Sequence, residues 1–139
     1  MKWVLDASLA AAAGLPDERA PVADRFLSQL TDEDEVWTPA LFWFEIANIV
    51  TVAQRRNRIT EATARELMAL FASLPVKTDT AAPASVADTI RTIASRCSLS
   101  AYDAAYLELA ERRGAGLATL DTELKSAASE AGVPVFELR

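Results

Sequence analysis

The feature that most constrains the fold of this chain is an alternation between short apolar runs and longer segments whose apolar residues recur at helical spacing. The apolar runs predict strands over residues 2–6, 35–38, 75–78, 116–119 and 134–138. The periodic segments predict helices over residues 20–30, 39–57, 60–74, 83–96, 100–113 and 121–131. Strands that alternate with helices are typical of βαβ units, which build a parallel sheet. We therefore expect an α/β fold in one domain over residues 1–139, a three-layer α/β/α sandwich with a central parallel sheet of about five strands.

The composition excludes several kinds of enzyme, because the chain has no histidine and its single cysteine is Cys97. Without histidine there is no Ser-His-Asp or Cys-His nucleophile system, no histidine general base and almost no route to a catalytic zinc site. One cysteine makes neither an internal disulfide nor a zinc site. Any catalysis must use carboxylates, hydroxyls, Lys, Arg or a hard metal ion.

The first residues faintly resemble a secretory signal, since the apolar run 3–5 is followed by the alanines 10–13. Asp6 interrupts that run after three residues, which a signal peptide does not tolerate. The longest apolar stretch, 39–53, contains Glu45 and is too short to span a bilayer. Together with the lack of disulfides, this predicts a soluble cytoplasmic protein.

Three acids lie where a parallel sheet binds ligands, which is beyond the carboxyl ends of the strands. Asp6 closes the first strand, Asp121 follows the strand over 116–119, and Asp103 lies in the first turn of the helix over 100–113. Each acid also has a structural interpretation. Asp6 and Asp121 suit the N-cap of the next helix, and Ser100 with Asp103 suits a capping box. The residues alone leave both interpretations open.

Glu45 stands out because its helix is otherwise apolar. From Ala40 to Ala53 the only polar residues are Glu45, Asn48 and Thr51, which are spaced by three and form one stripe. A carboxylate buried in such a helix is costly unless it is paired or binds a metal ion. No Lys or Arg lies three or four positions away, so Glu45 is predicted to bind a metal or to pair with a distant Arg.

A parallel sheet would bring the four acids Asp6, Glu45, Asp103 and Asp121 to one edge. Clustered carboxylates repel one another and raise one another's pKa unless a cation lies between them. Oxygen ligands alone select Mg²⁺ or Mn²⁺. The net charge of −6 argues against nucleic-acid binding, but divalent cations at such a cluster would locally reverse it.

Four segments resemble the motifs of PIN-domain ribonucleases, in order and over essentially the whole chain. They are Val4-Leu5-Asp6-Ala7-Ser8, Glu45-Ile46-Ala47-Asn48, Ser100-Ala101-Tyr102-Asp103-Ala104-Ala105-Tyr106-Leu107-Glu108-Leu109-Ala110 and Leu117-Ala118-Thr119-Leu120-Asp121. The subgroup that they resemble most is the VapC-like toxins of type II toxin–antitoxin systems. One departure is the stretch Ala10–Gly14, where many relatives have bulkier residues, and it concerns the shape of the groove rather than the acids.

The resemblance implies a magnesium-dependent endoribonuclease that hydrolyses RNA phosphodiester bonds. It carries Asp6, Glu45, Asp103 and Asp121 over as catalytic, metal-binding acids. Ser8 and Thr119 carry over as supporting hydroxyls, and Asn48 as a residue that supports the ligands. It further implies Mg²⁺ with Mn²⁺ as a substitute, a VapB-like antitoxin and a homodimer.

RNA must also be bound, and Arg55, Arg56 and Arg58 form a basic cluster at the end of the Glu45 helix. Cations there also complement the helix dipole, which is the structural alternative. Two other functions stay open: a non-catalytic PIN-like module that binds a partner, and a metal-dependent nuclease that acts in RNA processing or on DNA.

Overall fold

The sheet has four strands, all parallel, in the computed structural model, which describes residues 1–138. The strands are β1 (Lys2–Leu5), β2 (Glu35–Thr38), β3 (Val76–Thr78) and β4 (Gly116–Ala118). Their order across the sheet is β3-β2-β1-β4. Trp3 pairs with Val36 on one side and with Gly116 on the other, so β1 is an internal strand. The predicted α/β class and parallel sheet are confirmed.

Seven helices connect or follow these strands within residues 1–138. They are α1 (Ala7–Gly14), α2 (Pro21–Gln29), α3 (Leu41–Arg55), α4 (Glu61–Ala72), α5 (Pro83–Cys97), α6 (Ala101–Arg113) and α7 (Thr122–Glu130). Six of them match the predicted helices to within about two residues at each end. Their ends follow the expected chemistry: Thr60 accepts a hydrogen bond from the Thr63 amide at the start of α4, and Gly114 closes α6 with a left-handed φ of 61°.

The prediction of a fifth strand over 134–138 is wrong. Only Val135 bridges to Leu117 of β4. Two hydrogen bonds hold the segment there: the Leu117 amide donates to the Pro134 carbonyl at 2.7 Å, and the Phe136 amide donates to the Leu117 carbonyl at 2.9 Å. Pro134 has no N–H to donate, so the pairing cannot extend into a longer ladder on that side. The sheet therefore has four strands rather than about five.

Helix α1 was not predicted, because its sequence lacks an apolar stripe. Five of its eight residues are buried: Ala7, Leu9, Ala10, Ala11 and Ala12. A helix that is buried nearly all round shows no amphipathic period. Its small side chains let α1 pack closely against α2, α3 and α4.

The internal position of β1 brings its carboxyl end next to that of β4. The Asp6 amide donates to the Ala118 carbonyl at 2.9 Å, and the Thr38 hydroxyl donates to the Leu5 carbonyl at 3.2 Å. Gly116 permits this close approach, since a Cβ there would lie 2.6 Å from the ring of Trp3. Asp6 and Thr119, which follow the two strands, thus start from neighbouring backbone positions.

The helices flank the sheet in two groups. One group contains α1 to α4, and the other contains α5, α6 and α7, with α6 lying against β1 and β4. Fully buried side chains such as Phe26, Phe42 and Tyr106 fill the interior. No helix in residues 1–138 is long and apolar enough to cross a membrane.

Candidate active site

Asp6 is a buried carboxylate held by two hydroxyl groups. Its Oδ2 accepts hydrogen bonds from the Thr119 hydroxyl at 2.5 Å and the Ser8 hydroxyl at 2.7 Å. Asp6 occupies the N-cap position of α1, but its side chain makes no capping hydrogen bond. The capping interpretation is therefore wrong for this side chain, which is aimed at the carboxyl end of β4 instead.

The two hydroxyls also fix the loop that follows β4. Ser8 Oγ accepts from the Leu120 amide at 3.1 Å, and Thr119 Oγ1 accepts from the Asp121 amide at 3.0 Å. Through these bonds Asp6, after β1, and Asp121, before α7, belong to one hydrogen-bonded unit. The predicted support of Asp6 by Ser8 and Thr119 is present in the geometry.

Glu45 reaches the same region from α3 and is oriented by a tyrosine. The hydroxyl of Tyr106, which is completely buried in α6, donates to Glu45 Oε1 at 2.8 Å. Glu45 forms no ion pair with a Lys or Arg among residues 1–138, so the distant Arg considered from the sequence is replaced by this phenol. Sequence reasoning missed the role of Tyr106, although a tyrosine three residues after Asp103 on a buried helix was a signal for it.

Asp103 and Asp121 both lie at the beginning of helices. The Asp103 amide donates to the Ser100 hydroxyl at 3.1 Å, so Ser100 caps α6 and the Asp103 side chain stays available. Asp121 Oδ1 accepts from the Leu124 amide at 3.0 Å, so Asp121 does cap α7. Its capping interpretation is confirmed, and its second carboxylate oxygen has no such partner in residues 1–138.

Charge interactions connect Asp6, Glu45, Asp103 and Asp121, in addition to the effect of burial. Burial raises the pKa of Asp6, and the charge of Asp121 raises it further against the hydrogen bonds from Thr119 and Ser8. Burial and then the charges of Asp6 and Asp103 raise the pKa of Glu45. Burial, followed by Asp121 and Asp6, raises the pKa of Asp103. A cation beside such buried, mutually repelling carboxylates stabilises their ionised form.

Known proteins with the same pattern fall into one family. The PIN domain model matches residues 3–130. Ribonuclease VapC3 from Pyrobaculum aerophilum is 37% identical over 128 residues, which are 89% of this chain and 92% of that protein. This chain belongs to the PIN-domain family.

Solved structures share the fold at lower sequence identity. PAE2754 from Pyrobaculum aerophilum matches with a TM-score of 0.72 and 23% identity, covering 98% of this chain and 90% of its own. VapBC2 from Rickettsia felis, solved with a DNA fragment from its promoter, matches with a TM-score of 0.70 and 14% identity over 100% of both chains. At these identities the likeness extends to the fold only.

PIN-domain nucleases generally use a divalent metal, and the donor set of this PIN domain suits one. Among residues 1–138, no three Asp, Glu, His or Cys side chains lie close enough together to enclose a metal ion. Mg²⁺ does not require such a cage, because it usually takes one or two carboxylates and completes its shell with water and substrate phosphate. Buried Asp6, the half-buried acids around it and the absence of histidine fit a hard cation of this kind.

Two shallow grooves lie on this PIN domain, and both are lined by Asn48 and Ile49. One, of about 570 Å³, runs between α1 and α3. It is lined by Ser8, Ala11, Ala12, Glu18, Asn48, Ile49, Val52, Arg58 and Leu120. The small alanines of α1 thus widen a groove where the sequence departs from many relatives. The second groove, of about 580 Å³, contains Glu45 and Asp103 themselves.

The three arginines predicted to bind RNA differ in their surroundings. Arg55 and Arg56 are exposed at the end of α3, about 15 Å along the helix from Glu45. Arg58 instead forms a two-bond pair with Asp17 at 2.7 and 2.8 Å, and a further bond to Glu18 at 2.9 Å. Its guanidinium therefore ties the loop after α1 to the end of α3, whereas Arg55 and Arg56 remain the better candidates for phosphate contacts.

Proposed function

We propose that this chain is a Mg²⁺-dependent endoribonuclease that hydrolyses RNA phosphodiester bonds, and that it is the toxin of a VapBC-type pair. The observation that carries the proposal is the buried carboxylate of Asp6, which accepts hydrogen bonds from Ser8 and Thr119 and whose pKa is raised by burial and by the charge of Asp121. Burial and neighbouring acids likewise raise the pKa values of Glu45 and Asp103. The sequence identity with Ribonuclease VapC3 also supports ribonuclease activity.

In this proposal Asp6, Glu45, Asp103 and Asp121 hold Mg²⁺, with Mn²⁺ as a substitute. When bound, the ion lowers the pKa of water and offsets charge on the phosphoryl oxygens. Ser8 and Thr119 fix the direction of the Asp6 carboxylate, and Tyr106 fixes that of Glu45. Water adds to phosphorus as the bond to the 3′ oxygen breaks, which leaves a 5′-phosphate and a 3′-hydroxyl.

The partners of the site follow from the same family membership. We propose a VapB-like antitoxin and a homodimer, which the match to VapBC2 supports at the level of the fold. We also propose a cytoplasmic location, since Cys97 is a free thiol and the cytosol keeps thiols reduced.

The test is cleavage of an RNA pool containing structured and single-stranded molecules. We would compare the wild type in Mg²⁺, the wild type in EDTA, Asp6→Asn in Mg²⁺ and the control Asp88→Asn, which removes an exposed acid on α5. The proposal predicts cleavage by the wild type and the control in Mg²⁺, and none in the other two samples. Cleavage that survives EDTA or Asp6→Asn would contradict it.

An enzyme that is selective for one RNA leaves a generic pool intact, so metal binding gives a second measurement. Calorimetric titration with Mn²⁺ should then show an ion bound by the wild type and by Asp88→Asn but not by Asp6→Asn. Absence of both cleavage and Mn²⁺ binding would refute the enzyme and favour a module that only binds a partner.

A further inference from the structure

Two large aromatic side chains stand exposed beside the acids. Phe44 is 77% exposed and Tyr102 is 70% exposed. Phe44 immediately precedes Glu45 on α3, and Tyr102 immediately precedes Asp103 on α6. Single exposed apolar residues are common on proteins, but these two lie on different helices and line one groove.

That groove is shared with the candidate active site. Glu45 and Asp103 line it, together with Leu41, Asn48, Ile49 and Ser100. Its volume of about 580 Å³ lies within the range of sites that hold a small ligand, about 300–1,000 Å³. A phosphodiester placed on the acids would therefore bring an adjoining nucleotide to Phe44 and Tyr102.

The charges of the groove indicate which part of a nucleotide fits it. Among residues 1–138, its only charged lining residues are the two acids, and no Lys or Arg lines it. The aromatic end of the groove thus offers nothing to a phosphate, whereas a neutral base gains from aromatic surface and finds the exposed amide of Asn48 as a polar partner. Stacking on aromatic side chains is the usual way in which proteins hold unpaired bases.

We propose that Phe44 and Tyr102 are base-stacking residues that hold an unpaired nucleotide next to the scissile phosphate. This inference rests on the proposed ribonuclease function and adds a requirement to it: the RNA must be single-stranded at the site of cleavage. A base within a duplex is already stacked on its neighbours and cannot enter the groove. Helix α6, which carries Tyr102 and Asp103, is thus a recognition element as well as a source of ligands.

The experiment uses an oligouridylate with one 2-aminopurine, whose fluorescence is quenched by stacking. It is titrated in Mg²⁺ with the Asp6→Asn protein, which should not cleave it. Phe44→Leu and Tyr102→Leu are then added singly and together. Leucine keeps the groove apolar but removes the ring, and Tyr102→Phe is the matched control that keeps it. Because both side chains are exposed, we expect all variants to melt at the temperature of their parent.

The proposal predicts quenching by the parent and by Tyr102→Phe. Each leucine substitution should weaken binding by about fivefold to 150-fold, the range that corresponds to the loss of one stacked base. On the wild-type background the same substitutions should raise KM for single-stranded RNA. A duplex of the same sequence should be a poor ligand for every variant.

Equal binding and equal KM for wild type and leucine variants would overturn the stacking role, while metal-dependent cleavage by the wild type would leave the proposed function standing. Absence of both cleavage and Mn²⁺ binding in the wild type would instead remove the function and the inference together. Sedimentation of each variant tests whether the two rings instead belong to an interface between copies of this chain. If the leucine variants change from dimer to monomer, the two rings belong to an interface between copies of this chain, and the base-stacking role is refuted.

Discussion

At the scale of single residues, the role proposed for Asp6 comes with a cost in stability. Its pKa is raised in the folded protein because the carboxylate is buried. A raised carboxyl pKa means that the ionised form is disfavoured on folding, so above that pKa the charge destabilises the metal-free protein. Ser8 and Thr119 offset part of this cost through their hydrogen bonds.

Asp6→Asn should therefore melt at a higher temperature than the wild type in EDTA near pH 7. Adding Mg²⁺ or Mn²⁺ should stabilise the wild type, by about 2.7 kcal/mol when the ion is present at 100 times its Kd, and should leave Asp6→Asn unchanged. Thermal melts with and without the ion measure both effects. A variant that melts lower in EDTA, yet still responds to the ion, would show that Asp6 is a structural residue.

Tyr106 supports a second prediction at this scale. Tyr106→Phe removes the hydroxyl that donates to Glu45 but keeps the buried ring. We expect a loss of about 1 kcal/mol in the free energy of unfolding, the usual value of one hydrogen bond. Metal affinity should fall by roughly 10- to 100-fold, as when other groups that orient metal ligands are removed. Calorimetric Mn²⁺ titration of Tyr106→Phe measures this loss, and Tyr102→Phe, which removes an exposed hydroxyl, is the control. Equal metal affinities of the two variants would exclude a positioning role for Tyr106.

At the scale of secondary structure elements, the end of α3 separates two kinds of arginine. Arg55 and Arg56 are free to contact RNA, whereas Arg58 is committed to Asp17 and Glu18. Replacing Arg55 and Arg56 with Ala should reduce the salt dependence of single-stranded RNA binding by about 1.4 in log–log slope, for two lost phosphate contacts. The slope is measured from the binding of a labelled RNA at low to high salt, by the Asp6→Asn protein with and without the two substitutions.

The control for this prediction removes the same charge elsewhere. Arg65→Ala with Arg91→Ala also lowers the net charge by two but takes both residues from the exposed faces of α4 and α5. This double variant should keep the slope of the parent. If both double variants flatten it equally, the effect belongs to overall charge and not to the end of α3. Arg58→Ala should leave the slope unchanged and lower the melting temperature instead.

Elements with a clear period or terminal signal could be predicted from the sequence, and those shaped by burial could not. The stripe of α4, the Thr60 cap and the Gly114 cap are local signals, and all are present. Helix α1 is buried nearly all round, so it has no apolar stripe to mark it as a helix, although alanine itself favours helices. The predicted last strand failed because Pro134 lacks a donor, and the apolar run there is satisfied by packing of Phe136 against Trp3 and Phe26.

For the candidate site, the residue pattern alone indicated the four acids, whereas Ser8 and Thr119 were expected only from the family resemblance and the contact of Tyr106 was missed. Asp6, Glu45, Asp103 and Asp121 follow from strand ends and from one polar stripe. The bonds of Ser8 to Thr119 and of Tyr106 to Glu45 join residues 111 and 61 positions apart. Such contacts depend on strand order and helix packing, which local sequence patterns do not specify.

At the scale of the whole molecule, two sets of carboxylates give stability opposite dependences on pH. Asp79, after β3, is 9% exposed and pairs with Arg112 at 2.7 Å and Arg113 at 2.9 Å. Arg113 also lies over the ring of Trp37, 3.4 Å from its centroid. These arginines, Arg112 first, lower the pKa of Asp79, whereas Asp6, Glu45 and Asp103 have raised values.

The sign of each contribution follows from linkage. The lowered pKa of Asp79 gives stability that is fully present above the unfolded value of about 3.9 and is lost as pH falls through the folded value. The raised pKa values of the site acids act in the opposite sense, because their protonation removes charges that are buried and that repel one another. As the metal-free protein is acidified from neutral pH, it should therefore first gain stability from the site and then lose it as Asp79 is protonated.

Asp79→Asn isolates the second of these effects. The variant keeps the shape of the side chain but loses the charge that holds Arg112 and Arg113, so it should lose about 1–3 kcal/mol in the free energy of unfolding at pH 7. The wild type loses the contribution of ionised Asp79 as the pH falls, whereas the variant has no such contribution to lose. The difference between their free energies of unfolding should therefore shrink below about pH 4. Urea unfolding at a series of pH values measures this difference. Asp88→Asn, which breaks an exposed pair with Arg91, should match the wild type throughout. If Asp79→Asn also matched the wild type at pH 7, the ion-pair cluster would contribute no net stability, and the acid limb of the stability curve would have to come from other carboxylates.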